Sequence, residues 1–300
     1  MLKIAWSSRY CHPLPQGHRF PMEKYNLLPE QLLYEGTVSN ENFFEPGLLD
    51  EKWILNTHEE GYLKKLKTLS LSKSEIRKTG FPLSAELIER EIHIMQGSLQ
   101  ASLFALEFGI AMNVAGGTHH AFTNRGEGFC LLNDIAISAN YLLDNKLSSK
   151  ILVVDLDVHQ GNGTAEIFKN NKNVFTFSMH GASNYPMHKE KSDLDIGLPD
   201  KIDDAAYLKL LKENLHFIVE IFHPDFMIFQ SGVDVLESDK LGRLGLSIDG
   251  CKKRDKIVME LAKTNDIPIM CCMGGGYSER LTHIIEAHAN TFRIAQDLYF

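Results

Sequence analysis

The chain has 300 residues, 44% of them hydrophobic and 23% charged, an ordinary globular composition with enough sequence to bury a full-sized core. A formal net charge of -8 without any local run of lysines or arginines excludes the electrostatic footprint needed to grip phosphate backbones, although a mildly acidic surface suits a cationic partner. Five cysteines without a C-x-x-C pair indicate neither a disulfide framework nor a cysteine zinc site, and the apolar stretch in MLKIAWSSRYCHP is too short for a signal-peptide core or a membrane span. A cytoplasmic, monomeric protein is expected.

Residues 1–83 carry Pro13, Pro15, Pro21, Pro29 and Pro46 and show little periodicity apart from a helix over 58–68. They read as an irregular rim segment packed on a sheet, within one domain spanning 1–300. From residue 84 onward helical periodicity alternates with short apolar or β-branched runs. A helix over 84–108 precedes the strand IAMNVA (110–115), which runs into GGTHHA. A helix over 133–145 precedes KILVVDLD (150–157), which ends in VHQGNG. A short helix over 164–169 leads to NVFTFSMH (173–180). The helix 203–222 leads to DFMIFQSG (225–232), the helix 250–264 leads to IPIMCCMGGGY (267–277), and a last helix covers 278–298. This order predicts an α/β fold: a single domain with an open, mostly parallel sheet and helices on both faces.

In such sheets ligands bind beyond the carboxyl ends of the strands. Here those ends offer His119 and His120, then Asp155, Asp157 and His159, then His180, then Asp234, and finally Tyr277 after three glycines. In extended backbone Asp157 and His159 point to the same side. Asp234, from a later strand end, could add a second oxygen. Two carboxylates and one imidazole suit zinc and leave positions open for water and substrate. Alone, each piece is weak: an Asp after a strand commonly caps a helix, a bare His-His is often a surface feature, and a glycine run is usually a turn. Their coincidence carries the reading. Asp155 and Asn162 are candidates to orient the two histidines, since buried imidazoles need partners that fix their tautomers. M-G-G-G-Y lacks the spacing of a dinucleotide-binding loop.

Five ordered pieces, GGTHHA, GFCLLND (128–134), VVDLDVHQGNGT (153–164), SGVDVLESDKLGRLGLS (231–247) and GGGY, together resemble the zinc-dependent histone deacetylases of the arginase and deacetylase fold over nearly the whole chain. The segment after Val235, the K-R-D at 253–255 and the short length look most like the class IV branch. The resemblance implies zinc, one per chain, on Asp157, His159 and Asp234. It makes His119 and His120 the catalytic pair, with His120 the base, Asp155 and Asn162 behind them, and Tyr277 a donor to the oxyanion. It places Phe129 with Gly128 on one wall of a tunnel, Tyr185 opposite, and Gly275 and Gly276 beside it. It also implies a structural potassium at Asp155, Asp157, His159, Ser178 and Met179. Asn162 stands where many relatives have Asp, and Gln160 where many have His. The rim aspartate of some relatives has no counterpart near Gly80 to Ser84.

The implied chemistry is hydrolysis of an amide by a zinc-activated water, releasing an acyl group from a lysine side chain or lysine-like amine on a protein or peptide. An acetylpolyamine or another small amide is an alternative substrate. Two rivals stand outside this reading: a two-metal ureohydrolase, which needs further aspartates, and a catalytically silent module that binds acyl-lysine or a partner protein.

Overall fold

The computed structural model describes all 300 residues. Eight strands, β1 (Lys3–Ala5), β2 (Phe43–Phe44), β3 (Ile110–Asn113), β4 (Ile151–Asp155), β5 (Val174–Gly181), β6 (Leu194–Leu198), β7 (Phe226–Gln230) and β8 (Ile269–Cys272), form one sheet in the order β2-β1-β3-β8-β7-β4-β5-β6. Every pairing is parallel. The helices are α1 (Lys24–Tyr34), α2 (Glu51–Leu55), α3 (Glu60–Lys67), α4 (Lys73–Thr79), α5 (Ala85–Phe108), α6 (Asp134–Asp144), α7 (Asn162–Phe168), α8 (Asp204–Phe222), α9 (Ile248–Thr264) and α10 (Leu281–Tyr299). None is long and apolar enough to cross a membrane.

Side-chain alternation divides the core into two layers. Ile151, Val153, Ile228 and Met270 join one apolar cluster with Ile135, Ala139 and Leu142 of α6. Leu152, Val154, Phe229 and Cys271 join a larger cluster with residues of α8, α9 and α10. A strand covered on both faces must be apolar at every position, which is why β4, β7 and β8 read as continuous apolar runs.

Register sets the site. Asn113 pairs with Cys272, Cys272 with Gln230, Gln230 with Asp155 and Asp155 with Ser178, so β3, β8, β7, β4 and β5 reach one level. From β4 the chain proceeds to β5 on one side, and from β7 to β8 on the other. The crevice between β4 and β7 is the switch point at which such sheets take ligands.

The N-terminal segment differs from the expected rim. It supplies β1 and β2 to the sheet and four helices beside it. β1 is only three residues long and α1 contains Pro29, so neither leaves a readable period. The edge strand β6, LDIGL, alternates exposed and part-buried positions with a glycine and also escaped the sequence. Helix α7 begins at Asn162, two residues before its expected start.

One buried ion pair ties the crevice together. Arg254 of α9 is fully buried; its guanidinium donates to the carbonyls of Leu156 (3.2 Å), Ser231 (3.1 Å) and Gly232 (2.6 Å) and to Asp255 (2.7 Å). The loops after β4 and β7 are thereby pinned to one side chain, while Thr291 of α10 donates to the other Asp255 oxygen at 2.7 Å. Arg254→Met leaves a buried carboxylate unpaired and three carbonyls without a donor. It is expected to cost about 3–5 kcal/mol in urea denaturation, whereas Arg254→Met with Asp255→Leu recovers much of that loss. Equal stability of the two variants would show that the unpaired charge is not the source.

Candidate active site

Asp157, His159 and Asp234 are buried, and their ligand atoms lie within 4.8 Å of one another. Each carboxylate has one oxygen held from behind. Asp157 Oδ2 accepts from the Gln230 amide and the Gly275 N–H, both at 2.9 Å, and Asp234 Oδ1 accepts from the Val158 N–H at 2.9 Å. The remaining oxygens face His159 Nδ1 at 3.0 and 3.1 Å. Only histidines pair with these carboxylates: His159 with both, and His119 Nε2 at 3.9 Å from Asp157. Burial opposes charge on His159, but hydrogen bonds to the two carboxylates outweigh it and raise the imidazole to about 10. Burial and the charge of Asp157 raise Asp234. Two buried oxygens and one nitrogen converging on a point that attracts positive charge fit a divalent cation of the zinc type. Gly275 makes the approach possible, because a Cβ there would stand 2.0 Å from Asp234 Oδ2.

The His-His pair leaves β3 on a loop shaped by Asp134. This buried carboxylate accepts from the Gly117 and Thr118 N–H groups and from the Thr118 and Ser98 hydroxyls at 2.5–3.1 Å. The two rings lie 4.1 Å apart between centroids and have different partners. His119 Nδ1 lies 2.7 Å from Asp155, and His120 Nδ1 lies 2.6 Å from the side-chain oxygen of Asn162. Burial disfavours charge on both. For His119 the Asp155 and Asp157 carboxylates outweigh burial and raise it to about 9. For His120, burial and the positive charge on His119 and His159 push the imidazole well below its ordinary value. The two partners thus shift the adjacent rings in opposite directions.

Phe129, Tyr185 and Tyr277 line a cavity of about 280 Å³ together with His120, His159 and Gly128. Phe129 has φ 68°, a left-handed conformation rare for an aromatic residue. Its N–H donates to the Thr79 carbonyl at 2.7 Å. The Tyr185 ring meets His120 edge-on at 5.0 Å and its hydroxyl donates to Glu127 at 2.8 Å. The Tyr277 ring centroid is 6.4 Å from that of His159, and burial pushes its phenol well above the usual value. A Cβ on Gly276 would stand 2.7 Å from a Val233 methyl group. Ser178 uses its hydroxyl on His180 at 2.9 Å. Gln160 turns away to Glu190 and Asp195.

Four supporting residues escaped the sequence reading. Gln230 left a signal, a polar residue ending an apolar strand. Asp134 reads as an ordinary helix-start residue. Arg254 falls in the K-R-D at 253–255, read only as a mark of subclass. Lys24 is buried with its ammonium donating to the Gly274 carbonyl at 3.0 Å; burial lowers its pKa to about 8. It holds the glycine segment from a helix 250 residues away in sequence.

The comparisons agree with this geometry. A family model described as the histone deacetylase domain matches residues 18–292. An uncharacterized protein of Picosynechococcus is 39% identical over 99% of both chains. Histone deacetylase 2 of Arabidopsis thaliana is 27% identical over 95% of this chain and 76% of its own length, and human histone deacetylase 1 is 29% identical over 88% and 58%. Among solved structures, a histone deacetylase homologue from Aquifex aeolicus superposes with a TM-score of 0.83 at 24% identity, covering 97% of this chain and 82% of that one. A homologue complexed with SAHA gives 0.82 at 24% identity, covering 98% and 82%. On its sequence, and with a fold to match, this chain belongs to the histone deacetylase family.

Proposed function

We propose that this chain is a zinc-dependent hydrolase that removes an acyl group from a lysine side chain or lysine-like amine. The observation that carries the reading is one Asp157, His159 and Asp234 cluster opening, beside two adjacent imidazoles held by different partners, into an aromatic-lined cavity that Tyr277 shares. Asp157, His159 and Asp234 would hold one zinc ion, which when bound polarises the amide carbonyl and acidifies the attacking water. His120, neutral and held by Asn162, takes the proton of that water. His119, cationic beside Asp155, stabilises developing negative charge, and Tyr277 donates to the same oxygen. A protonated imidazole then returns a proton to the leaving amine. Phe129, Gly128 and Tyr185 shield the aliphatic stem from water, and Gly275 makes room for the carboxylates. A potassium ion at Asp155, Asp157, His159, Ser178 and Met179 belongs to the same reading; Asp155 and Ser178 are in register on β4 and β5. A single metal cluster, with Asp155 committed to His119, supports one ion over the two of a ureohydrolase. The SAHA complex of a neighbour supports a ligand-accepting cavity.

Chelation is expected to abolish turnover of acyl-lysine peptides and one equivalent of zinc to restore it, with His159→Ala losing most bound metal by atomic emission. Full activity in metal-free protein would remove zinc from the scheme. Replacing Asn162 by Asp puts a carboxylate against His120 and favours its imidazolium. Because the base must be neutral, the acidic limb of kcat/KM should move to higher pH; an unmoved limb removes His120 or Asn162 from that role. Tyr277→Phe keeps the ring and its packing, so zinc content and thermal stability should stay normal while kcat falls on the order of 10²–10³-fold. Near-normal kcat would exclude the phenol from catalysis.

A further inference from the structure

Above the proposed chemistry the cavity opens between Arg19, from the N-terminal loop, and Arg77 and Lys78, from the end of α4. All three are exposed, and no aspartate or glutamate lines this mouth. None has an ion-pair partner. Of the acids bonded to lining residues, Glu127 is occupied by the Tyr185 hydroxyl and by Arg125 at 2.9 Å, and Asp239 by the backbone N–H groups of Leu241 and Tyr277. The acid of α4, Glu75, is turned to Lys65 at 2.9 Å and caps the other end of the helix. Basic residues in a last turn also satisfy the helix dipole, but Arg19 belongs to no helix, and its guanidinium carbon still lies 6.0 Å from the Phe129 ring centre.

The backbone that carries Arg77 and Lys78 is tied to the cavity wall. Gly128 donates to the Lys78 carbonyl at 2.9 Å and Phe129 to that of Thr79 at 2.7 Å. A Cβ on Gly80 would stand 2.8 Å from the Phe129 ring, so rim and wall are in contact. The same cavity is lined by His120, His159 and Tyr277, which places Arg77 and Lys78 beside whatever backbone carries an acyl-lysine into it. The chain as a whole is anionic, at -8. Exposed charges beyond a Debye length of about 8 Å are largely screened, so the local cations dominate at the mouth.

We infer that this mouth selects substrates carrying a carboxylate next to the acylated lysine, either the free carboxylate of a C-terminal acyl-lysine or the side chain of a flanking acidic residue, and disfavours lysine-rich tails and acylated polyamines. This selectivity rests on the deacylase reading. Like-charge contact at the rim rejects the wrong substrate while the pairing accepts the right one.

The test uses zinc-loaded enzyme at low salt and four acetyl-lysine peptides of equal length: flanked by glutamates, alanines or lysines with an amidated end, and alanine-flanked with a free C-terminal acetyl-lysine. The glutamate peptide or the free-carboxylate peptide is expected to exceed the lysine peptide in kcat/KM by about tenfold or more, with the gap closing as salt rises. Which of the two gains identifies the source of the carboxylate. Arg77→Glu with Lys78→Glu should collapse or invert the ratio and Arg19→Gln should reduce it, whereas Lys212→Glu, on α8 outside the cavity, should leave it alone. A lysine peptide that matches the acidic ones, or a ratio indifferent to the rim variants, overturns the inference. The same peptides, labelled and titrated by fluorescence anisotropy, report the mouth without turnover. Absence of turnover with the acidic preference kept in binding sinks the deacylase reading and leaves the charge selectivity standing.

Discussion

Two carboxylates buried around one point are the constraint on which the rest of this structure depends. Asp157 and Asp234 leave water without a lysine or arginine beside them, and burial of such charge is costly unless it is paired. Around them the fold supplies donors to the rear oxygens and nothing cationic to the front except imidazole. Gln230 reaches over from its strand end, Gly275 lends an N–H and lacks the Cβ that would collide, and Arg254 stitches together the two loops on which the carboxylates ride. The arrangement is preorganised because every one of these supports comes from a different element. Moving one loop would break contacts with the others.

The same economy separates two chemically identical rings. His119 and His120 are adjacent in sequence and both buried, yet with a carboxylate behind one and an amide behind the other they shift in opposite directions. An amide oxygen accepts the Nδ1 proton and fixes the tautomer as a carboxylate does, but adds no net charge to stabilise imidazolium. With His119 4.1 Å away, burial and that neighbour's charge push the Asn162-held ring well below its ordinary value.

Much of this was legible in the sequence because it followed local rules. Five of the buried or inner strands, β3, β4, β5, β7 and β8, announced themselves as apolar runs, and Asp155, one of the polar residues read at their ends, lies in the register row that brings them to one level. The spacing of Asp157 and His159 survives even though β4 ends at Asp155, since alternation needs only locally extended backbone. What stayed hidden depended on distant elements. Arg254 and Lys24 look like surface charges until α9 and α1 dock, and Asp134 looks like a helix start until the His-His loop folds over it. The short β1 and β2 carry too few residues for a period, so the N-terminal segment read as rim although it completes one side of the sheet.

Net charge was the least informative number, and the reason is physical. A total of -8 summed over 300 residues describes the far field, which governs solubility and encounter, but a bound substrate feels only the charges within a screening length of its own atoms. At the mouth those are Arg19, Arg77 and Lys78. Because the Thr79 and Lys78 carbonyls are hydrogen-bonded to Phe129 and Gly128 beside the cavity, the end of α4 and the cavity wall are tied together. On the proposed reading, recognition of the acyl-amine and discrimination among its carriers would share that support, and a substitution that shifts α4 would disturb both together, whereas one that only reverses its charges would disturb the second alone.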